Sequence, residues 1–487
     1  MLQKIKSFLF KNKSTRQTVA KNTFWLFFGE ISSRVLRAAI VIYAARVLGA
    51  DGWGVFSYAI TLAAFFTIFS DIGLGAILTR ETAKNPELRS QYLSTSFFLK
   101  LILMTLSVIL IIFVAPLFTK IAAAKTLLPI VAMILVFDGL REFGFSLNRA
   151  LEQMESEAFT KAITNVLIVI LGFLFLTLSK TAESLAWSYT LGSAIGFFIM
   201  IWTLKPYFKN IFSNFSKNLL WPIFSAAWPF ALSGLLSGIM INTDTIMLGW
   251  WRSAQEIGFY AISQRLIQIF YFLPVLLATS TFPTFAKLAK KENDKFKNIL
   301  EKSISIMMLI GIPIILGGFI VGNELISTLF GKEYFPAIIS FKILLLTILL
   351  VFPGALIGNA VFAYDQQKSF ISFLALGALG NIILNYLLIP KYGIEGSAIA
   401  TLGAQILSTG FIWLKMKKIN NFKTLPYLKN IVLAATIMSF ITFVLKYLSM
   451  NLFLNVTISA LSYFCVLILL KEPLIKDIKG AIKIQTT

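Results

Sequence analysis

The chain is 487 residues long, 57% hydrophobic and 14% charged, with a formal net charge of +22, whereas a soluble domain carries roughly a quarter charged residues. So little polar surface excludes a water-soluble globule, and basic residues scattered through short loops, forming neither a basic face nor an arginine-rich tail, exclude a nucleic-acid binder. With no histidine and a single cysteine, Cys465, the sequence excludes imidazole triads, internal disulfides and Cys- or His-ligated metal centres; no Walker-type phosphate loop is present, and no cofactor is expected.

In chain order, a basic N-terminal stretch (1–23) precedes the first apolar segment. That segment is too long for a secretory signal core and contains Glu30, Arg34 and Arg37, so it is read as a retained helix. Apolar runs then recur to the end of the chain. They predict crossings at 24–48, 55–79, 92–115, 127–147, 158–178 and 185–204, a linker at 205–219, and six more at 220–248, 257–282, 299–321, 337–362, 370–389 and 394–414. A terminal pair, 431–447 and 452–470, follows a basic connecting loop that begins at 415, and 471–487 is a tail. Each run is long enough to cross ~30 Å of hydrocarbon at ~1.5 Å per residue. The expectation is an all-α polytopic membrane protein of about fourteen transmembrane helices: an N-terminal six-helix bundle (24–204), a C-terminal one (220–414) and the terminal pair (415–470).

Alternate loops carry about 30 Lys and Arg on the side holding both termini and about 7 on the other, which places both ends in the cytoplasm by the positive-inside rule. The sequence also echoes itself at a separation of about 204 to 213 residues. Gly54-Val55-Phe56-Ser57-Tyr58 answers Gly258-Phe259-Tyr260, Ala150-Leu151-Glu152-Gln153 answers Ala363-Tyr364-Asp365-Gln366, and Thr190-Leu191-Gly192 answers Thr401-Leu402-Gly403. An even number of helices per repeat gives two like-oriented halves, the frame of a cleft that opens alternately to either side.

Arg46-Val47-Leu48-Gly49, then Asp71-Ile72-Gly73-Leu74 with Arg80 and Ala83, and in the second half Asp244, Gly258-Phe259-Tyr260 and Arg265, resemble the Wzx-type flippases of O-antigen and other surface polysaccharides, within the multidrug/oligosaccharidyl-lipid/polysaccharide exporter superfamily. The resemblance runs over nearly the whole chain. It implies a non-enzymatic protein of the bacterial inner membrane with a cationic cavity, flipping an undecaprenyl-diphosphate-linked glycan outward. Its implied partners are that lipid, the bilayer, and the polysaccharide polymerase and chain-length machinery.

Ionisable side chains inside the bilayer cost at least ~2.5 kcal/mol by insertion scales, so each needs a partner or a wet cavity. Glu30, Arg34 and Arg37 fall at i, i+4 and i+7 on one stripe of the first helix. One acid cannot neutralise two arginines; either the pair Glu30–Arg34 only fixes packing, or at least one guanidinium is left for an anionic diphosphate. Arg265 is placed either to face the same cleft or to pair with Asp244, and Lys342 is a further candidate that also suits an interfacial position. Glu30, Asp71 and Asp244 are the acids placed to take a coupling ion, Asp71 alternatively acting as a cap or pairing with Arg80. Asp138, Arg141 and Glu142 read as a structural ion network. Gly234-x-x-x-Gly238 after Pro229 reads as close helix packing. The charge sign favours an anionic lipid over the cationic substrates of a drug exporter; a peptidoglycan-precursor or teichoic-type flippase shares the diphosphate, and a membrane polymerase lacks the large outer loop it needs.

Overall fold

A computed structural model describes Phe10, Asn12 and residues 15–474. About half of the predicted N-terminal stretch and most of the predicted tail lie outside the described residues. Among those described, all regular structure is helical, and twelve helical stretches are long and apolar enough to cross a membrane. Two of the twelve, Gln17–Ser70 (54 residues) and Gln367–Ile419 (53 residues), would each extend about 80 Å if straight, far beyond one bilayer. Both are bent at a glycine with left-handed backbone, Gly49 (φ 66°) and Gly393 (φ 57°), a conformation that a Cβ makes costly.

The chain forms two compact units, Met1–Gly258 and Phe259–Thr487. In the first, α1 (Thr15–Phe66) carries the bend at Gly49. Its first arm runs parallel to α5 (Met154–Leu178), because small residues let the two approach: a Cβ on Gly29 would lie 3.0 Å from the Ala158 Cα, and one on Gly172 only 2.4 Å from Ile40. Beyond the bend, the second arm runs towards α2 (Leu74–Lys84) and lies antiparallel to α7 (Leu220–Trp251), with Tyr58 against Gly249, Ile68 against Gly238 and Gly73 against Phe230. Gly238 of the small-residue motif is thus packed, while Gly234 faces open space. The remaining helices are α3 (Arg89–Ile109), α4 (Ala122–Ala150) and α6 (Ala182–Phe208). Leu78, Leu93, Phe143, Leu147, Met200 and Leu204 bury the joint between these and α2.

The second crossing, expected to be continuous over 55–79, is broken. After a short 3-10 turn at Thr67–Ser70, Asp71 leaves helical geometry and Gly73 adopts φ 90° before α2 begins. The Asp71 carboxylate accepts the Gly73 N–H at 3.0 Å, so one of the donors freed by the break is satisfied locally.

The second unit opens within α8 (Ala254–Phe270), which is followed after Tyr271 by α9 (Phe272–Leu288). The crossing expected over 257–282 thus carries a one-residue turn at Tyr271, whose backbone stays close to helical (φ −65°, ψ −11°). The crossing expected over 337–362 divides likewise, into α11 (Ala337–Leu345) and α12 (Ile348–Ala363). Between these lie α10 (Asn293–Phe330), and after them α13 (Gln367–Ile419), α14 (Leu425–Tyr447) and α15 (Leu452–Leu469). In α13 the arms fold back on each other: Ser397 donates to Asn385 Oδ1 at 3.0 Å although twelve residues separate them. The terminal pair docks on α10 through Lys446–Glu324 (3.0 Å) and the Tyr463 hydroxyl on the Leu309 carbonyl (2.8 Å).

The tightest backbone approach in the first unit joins the two ends of the repeat. A Cβ on Gly54 would stand 1.8 Å from the Ala254 carbonyl oxygen, and one on Gly258 would stand 2.0 Å from that of Ala50. Backbone cannot yield as a flexible side chain does, so Gly54→Val is expected to destabilise the protein by about 3 kcal/mol or more. Thermal unfolding in detergent, against a control at open Gly234, measures the loss.

Candidate functional site

On the first arm of α1, the stripe foreseen in the sequence separates into a closed pair and an open charge. Arg34 Nε and Nη2 reach Glu30 Oε1 at 2.9 and 2.8 Å, one helical turn apart. Both side chains remain more than a third exposed. Arg37 is exposed and donates from Nε to Asn165 Oδ1 at 2.8 Å, a neutral acceptor on α5. Asn165 is itself buried and oriented, its amide nitrogen donating to Ser33 Oγ (3.1 Å) and to the Lys161 carbonyl (2.7 Å). Among the described residues no carboxylate pairs with Arg37.

One turn and two turns below Asn165 on the same face of α5 come Lys161 and Glu157. Glu157 is fully buried and accepts from Arg149 at 2.9 and 2.6 Å and from Lys161 at 2.8 Å. This carboxylate, rather than Glu142, is the centre of the ion network. Glu142 holds only the outer shell of it, 3.5 Å from Arg149 and 4.0 Å from Lys161, and Asp138 pairs instead with Arg141 at 2.8 Å. The expected trio is thus divided: Arg141, paired with Asp138, has Nη1 3.1 Å from where a Gly196 Cβ would stand on α6, while Glu142 lines a cavity with residues of α2. Arg141 is buried, lies over the Phe145 ring, and its Nε and Nη1 find no hydrogen-bond partner among the described residues.

Asp71 sits at the break ahead of α2. Arg80 pairs with its neighbour Glu81 at 2.6 Å, so the alternative pairing of Asp71 with Arg80 does not form; the cation near Asp71 is Lys100 of α3, 3.5 Å from Oδ2. The Lys100 side chain is 2% exposed and that of Asp71 is 44% exposed, so the lysine supports the carboxylate from the protein side. Asp71, Thr79, Glu142, Ser146 and Arg149 line a cavity of about 240 Å³. Chain by chain, the polar path in this unit runs from Arg37 through Asn165, Lys161, Glu157 and Arg149 to Glu142 at the cavity.

The other predicted residues lie apart from this path. Asp244 is buried on α7 and Arg265 is exposed on α8, and neither is without an interaction. Lys342, in the last turn of α11, is half-buried, with its stem 3.8 Å from where a Gly322 Cβ would stand. Glu157, Lys161 and Asn165 were not foreseen. The signal was present, three polar residues at i, i+4 and i+8 in an apolar helix, but the predicted crossing began at 158 and left Glu157 outside it, whereas α5 begins at Met154.

The family model for polysaccharide biosynthesis proteins matches residues 19–289, more than half of the chain. The chain belongs to that family. A second model, MatE, matches residues 229–387. Among curated proteins, the chain is 23% identical to the capsular polysaccharide biosynthesis protein CapF of Staphylococcus aureus, covering 80% of this chain and 97% of that one. It is 23% identical to a putative O-antigen transporter of Shigella flexneri (79% and 94% covered) and 24% identical to a probable low-salt glycan biosynthesis flippase, Agl15, of Haloferax volcanii (79% and 80%). Among solved structures, the lipid II flippase MurJ in an inward closed conformation superimposes with a TM-score of 0.71 at 21% identity, covering 92% of this chain and all of that one. An inward-facing multidrug transporter of the MATE family and MOP superfamily gives 0.63 at 13% identity (80% and 94% covered). This member of the family therefore has the multi-pass helical fold that these two solved structures share, as expected from its sequence.

Because Glu157 is buried between two cations, Glu157→Ala leaves Arg149 and Lys161 facing each other without their shared counter-charge. The expected loss is about 3 kcal/mol, read as a lowered unfolding temperature in detergent, with Glu142→Ala, which removes only longer contacts, costing distinctly less.

Proposed function

We propose that this chain flips a polyprenyl-diphosphate-linked oligosaccharide, the repeat unit of a surface polysaccharide, from the cytoplasmic to the outer leaflet by alternating access. The observation that carries the reading is Arg37: a guanidinium on a membrane-spanning helix, exposed, hydrogen-bonded to an amide and balanced by no described carboxylate. Such a group is too costly against lipid and must face water or an anion. Its planar fork suits a diphosphate, and the neutral acceptor at Nε leaves the two terminal nitrogens free to bind one. Family membership and relatives described as an O-antigen transporter and glycan flippases support the same substrate class.

Arg34 has a different part. Paired with Glu30, it contributes little net charge, and in this reading Glu30 is the acid beside the anion site for a coupling ion. Arg265 and Lys342 are the candidates for the same duty in the second unit, with Asp71 and Asp244 as the remaining acids for a coupling ion. The loop charges support both termini inside, the bacterial capsule and O-antigen relatives support a bacterial cytoplasmic membrane, and the polymerase and chain-length machinery are the partners to which the flipped lipid would pass. A drug exporter for cations is the weaker reading, because it calls for an excess of acid where this stripe has an excess of base.

Deleting the gene is expected to make a lipid-linked glycan accumulate in the inner leaflet, and the identity of that glycan separates a surface-polysaccharide repeat from a peptidoglycan or teichoic precursor. Arg37→Ala is expected to reduce export about tenfold or more, the effect of removing a charge-assisted contact, with Arg34→Ala milder. Full export by the Arg37→Ala protein at wild-type abundance would remove the basis of the proposal.

A further inference from the structure

We propose that the cavity at the helix break is a subsite that binds one sugar ring of the transported glycan; this rests on the lipid-linked glycan reading above and adds to it where the sugar is read.

The size of the cavity is the first argument. At about 240 Å³ it falls below the ~300–1,000 Å³ of pockets for drug-sized ligands, room for about a single pyranose ring within it. The second is the hydrogen-bonding capacity of its lining. Glu157 takes the short bonds of Arg149 and Lys161, so Glu142 is left with contacts of 3.5 and 4.0 Å and has lone pairs to spare. Asp71 has one oxygen on the Gly73 N–H and the other only 3.5 Å from Lys100. Two carboxylates with spare acceptor sites, a guanidinium donor and the hydroxyl oxygens of Thr79 and Ser146 match a ligand whose groups both donate and accept, and a sugar's hydroxyls do both.

Charge decides against the alternatives. Lys100 offsets Asp71, and Arg149 together with Lys161 offsets Glu157 and Glu142, so a free cation would gain little there, and a phosphate would meet two carboxylates. A neutral polyhydroxylated group meets neither penalty. The local backbone is also built for the space. Gly75 and Ala76 form the wall, and a Cβ on Gly75 would come 2.6 Å from Ser146 Oγ and 3.9 Å from Asp71 Oδ2, so the bare glycine lets α2 and α4 approach beside the cavity. The break at Asp71–Gly73 is what turns the carboxylate out of the helix and fixes it before any ligand arrives, the preorganisation that a selective polar site needs.

The test uses two probes: the glycolipid that accumulates in cells lacking the gene, purified, and undecaprenyl diphosphate carrying no sugar. Each is titrated into the full-length protein in nanodiscs, and the ratio of the two dissociation constants is the readout. The wild-type protein is expected to prefer the glycolipid by about tenfold, the worth of one or two charge-assisted hydrogen bonds. Glu142→Gln, which removes the charge, and Ala76→Leu, which fills an exposed wall of the cavity on a helix where leucine is well tolerated, are each expected to bring the ratio close to one. Ala76→Leu decides the matter should the Glu142→Gln protein fold poorly. Equal wild-type affinity for the two probes, or a tenfold ratio that survives Ala76→Leu, overturns the sugar subsite and leaves the diphosphate reading standing. If no lipid-linked glycan accumulates, or neither probe binds, the flippase reading falls and the subsite falls with it.

Discussion

A charge inside hydrocarbon must be answered, by a counter-charge, a hydrogen-bonding partner or water, and the first unit is organised by that requirement. Arg149 and Lys161 are answered by one buried acid, Glu157; Lys100 by Asp71; Arg141 by Asp138 and the face of Phe145; Arg34 by Glu30. Two of these reach between elements, Arg149 of α4 to Glu157 of α5 and Lys100 of α3 to Asp71 just ahead of α2, so satisfying them also fixes how those elements meet. Arg37 stands outside this scheme, since its partner is an amide held in place by two further hydrogen bonds. An orientation fixed so carefully, around a charge left unneutralised, is what the anion site proposed above calls for.

The same requirement governs backbone. A chain can leave helical geometry within a membrane only where the freed groups find partners or line a cavity. At Asp71–Gly73 the aspartate takes a backbone N–H and the gap opens on the cavity. At Tyr271 the backbone keeps right-handed helical angles (φ −65°, ψ −11°), so the second unit has no comparable opening at that turn.

How far this could be read from the sequence varied with the kind of signal. Apolar runs are long and additive, so the membrane class, the bends near Gly49 and Gly393 and the terminal pair were legible. Interruptions inside an apolar run were not. Asp71-Ile72-Gly73 was visible as a motif, yet its residues fit a continuous helix on hydropathy, and nothing in the composition around Tyr271 or Leu346–Thr347 marks a break. Pairing was legible where it is local, as in Glu30–Arg34 and Asp138–Arg141, because helix geometry fixes i, i+3 and i, i+4 neighbours. It was illegible across helices, where Glu157 captured the arginine and lysine that sequence proximity offered to Glu142, and where Lys100 displaced Arg80 as the neighbour of Asp71. Helix starts also mattered: α5 begins at Met154, four residues before the predicted crossing, and the central acid of the network lies in that first turn.

The hairpin of α13 carries a consequence for how the protein is made. Its arms turn their polar groups inward, Asn381 with Asn385, and Asn385 with Ser397 across the bend at Gly393. Either arm alone would present carboxamides and hydroxyls to acyl chains, whereas together they offer lipid a largely hydrocarbon exterior. The pair is thus best suited to leave the translocation machinery as one folded hairpin, with Gly393 acting during synthesis as the corner that allows the second arm to reach the first.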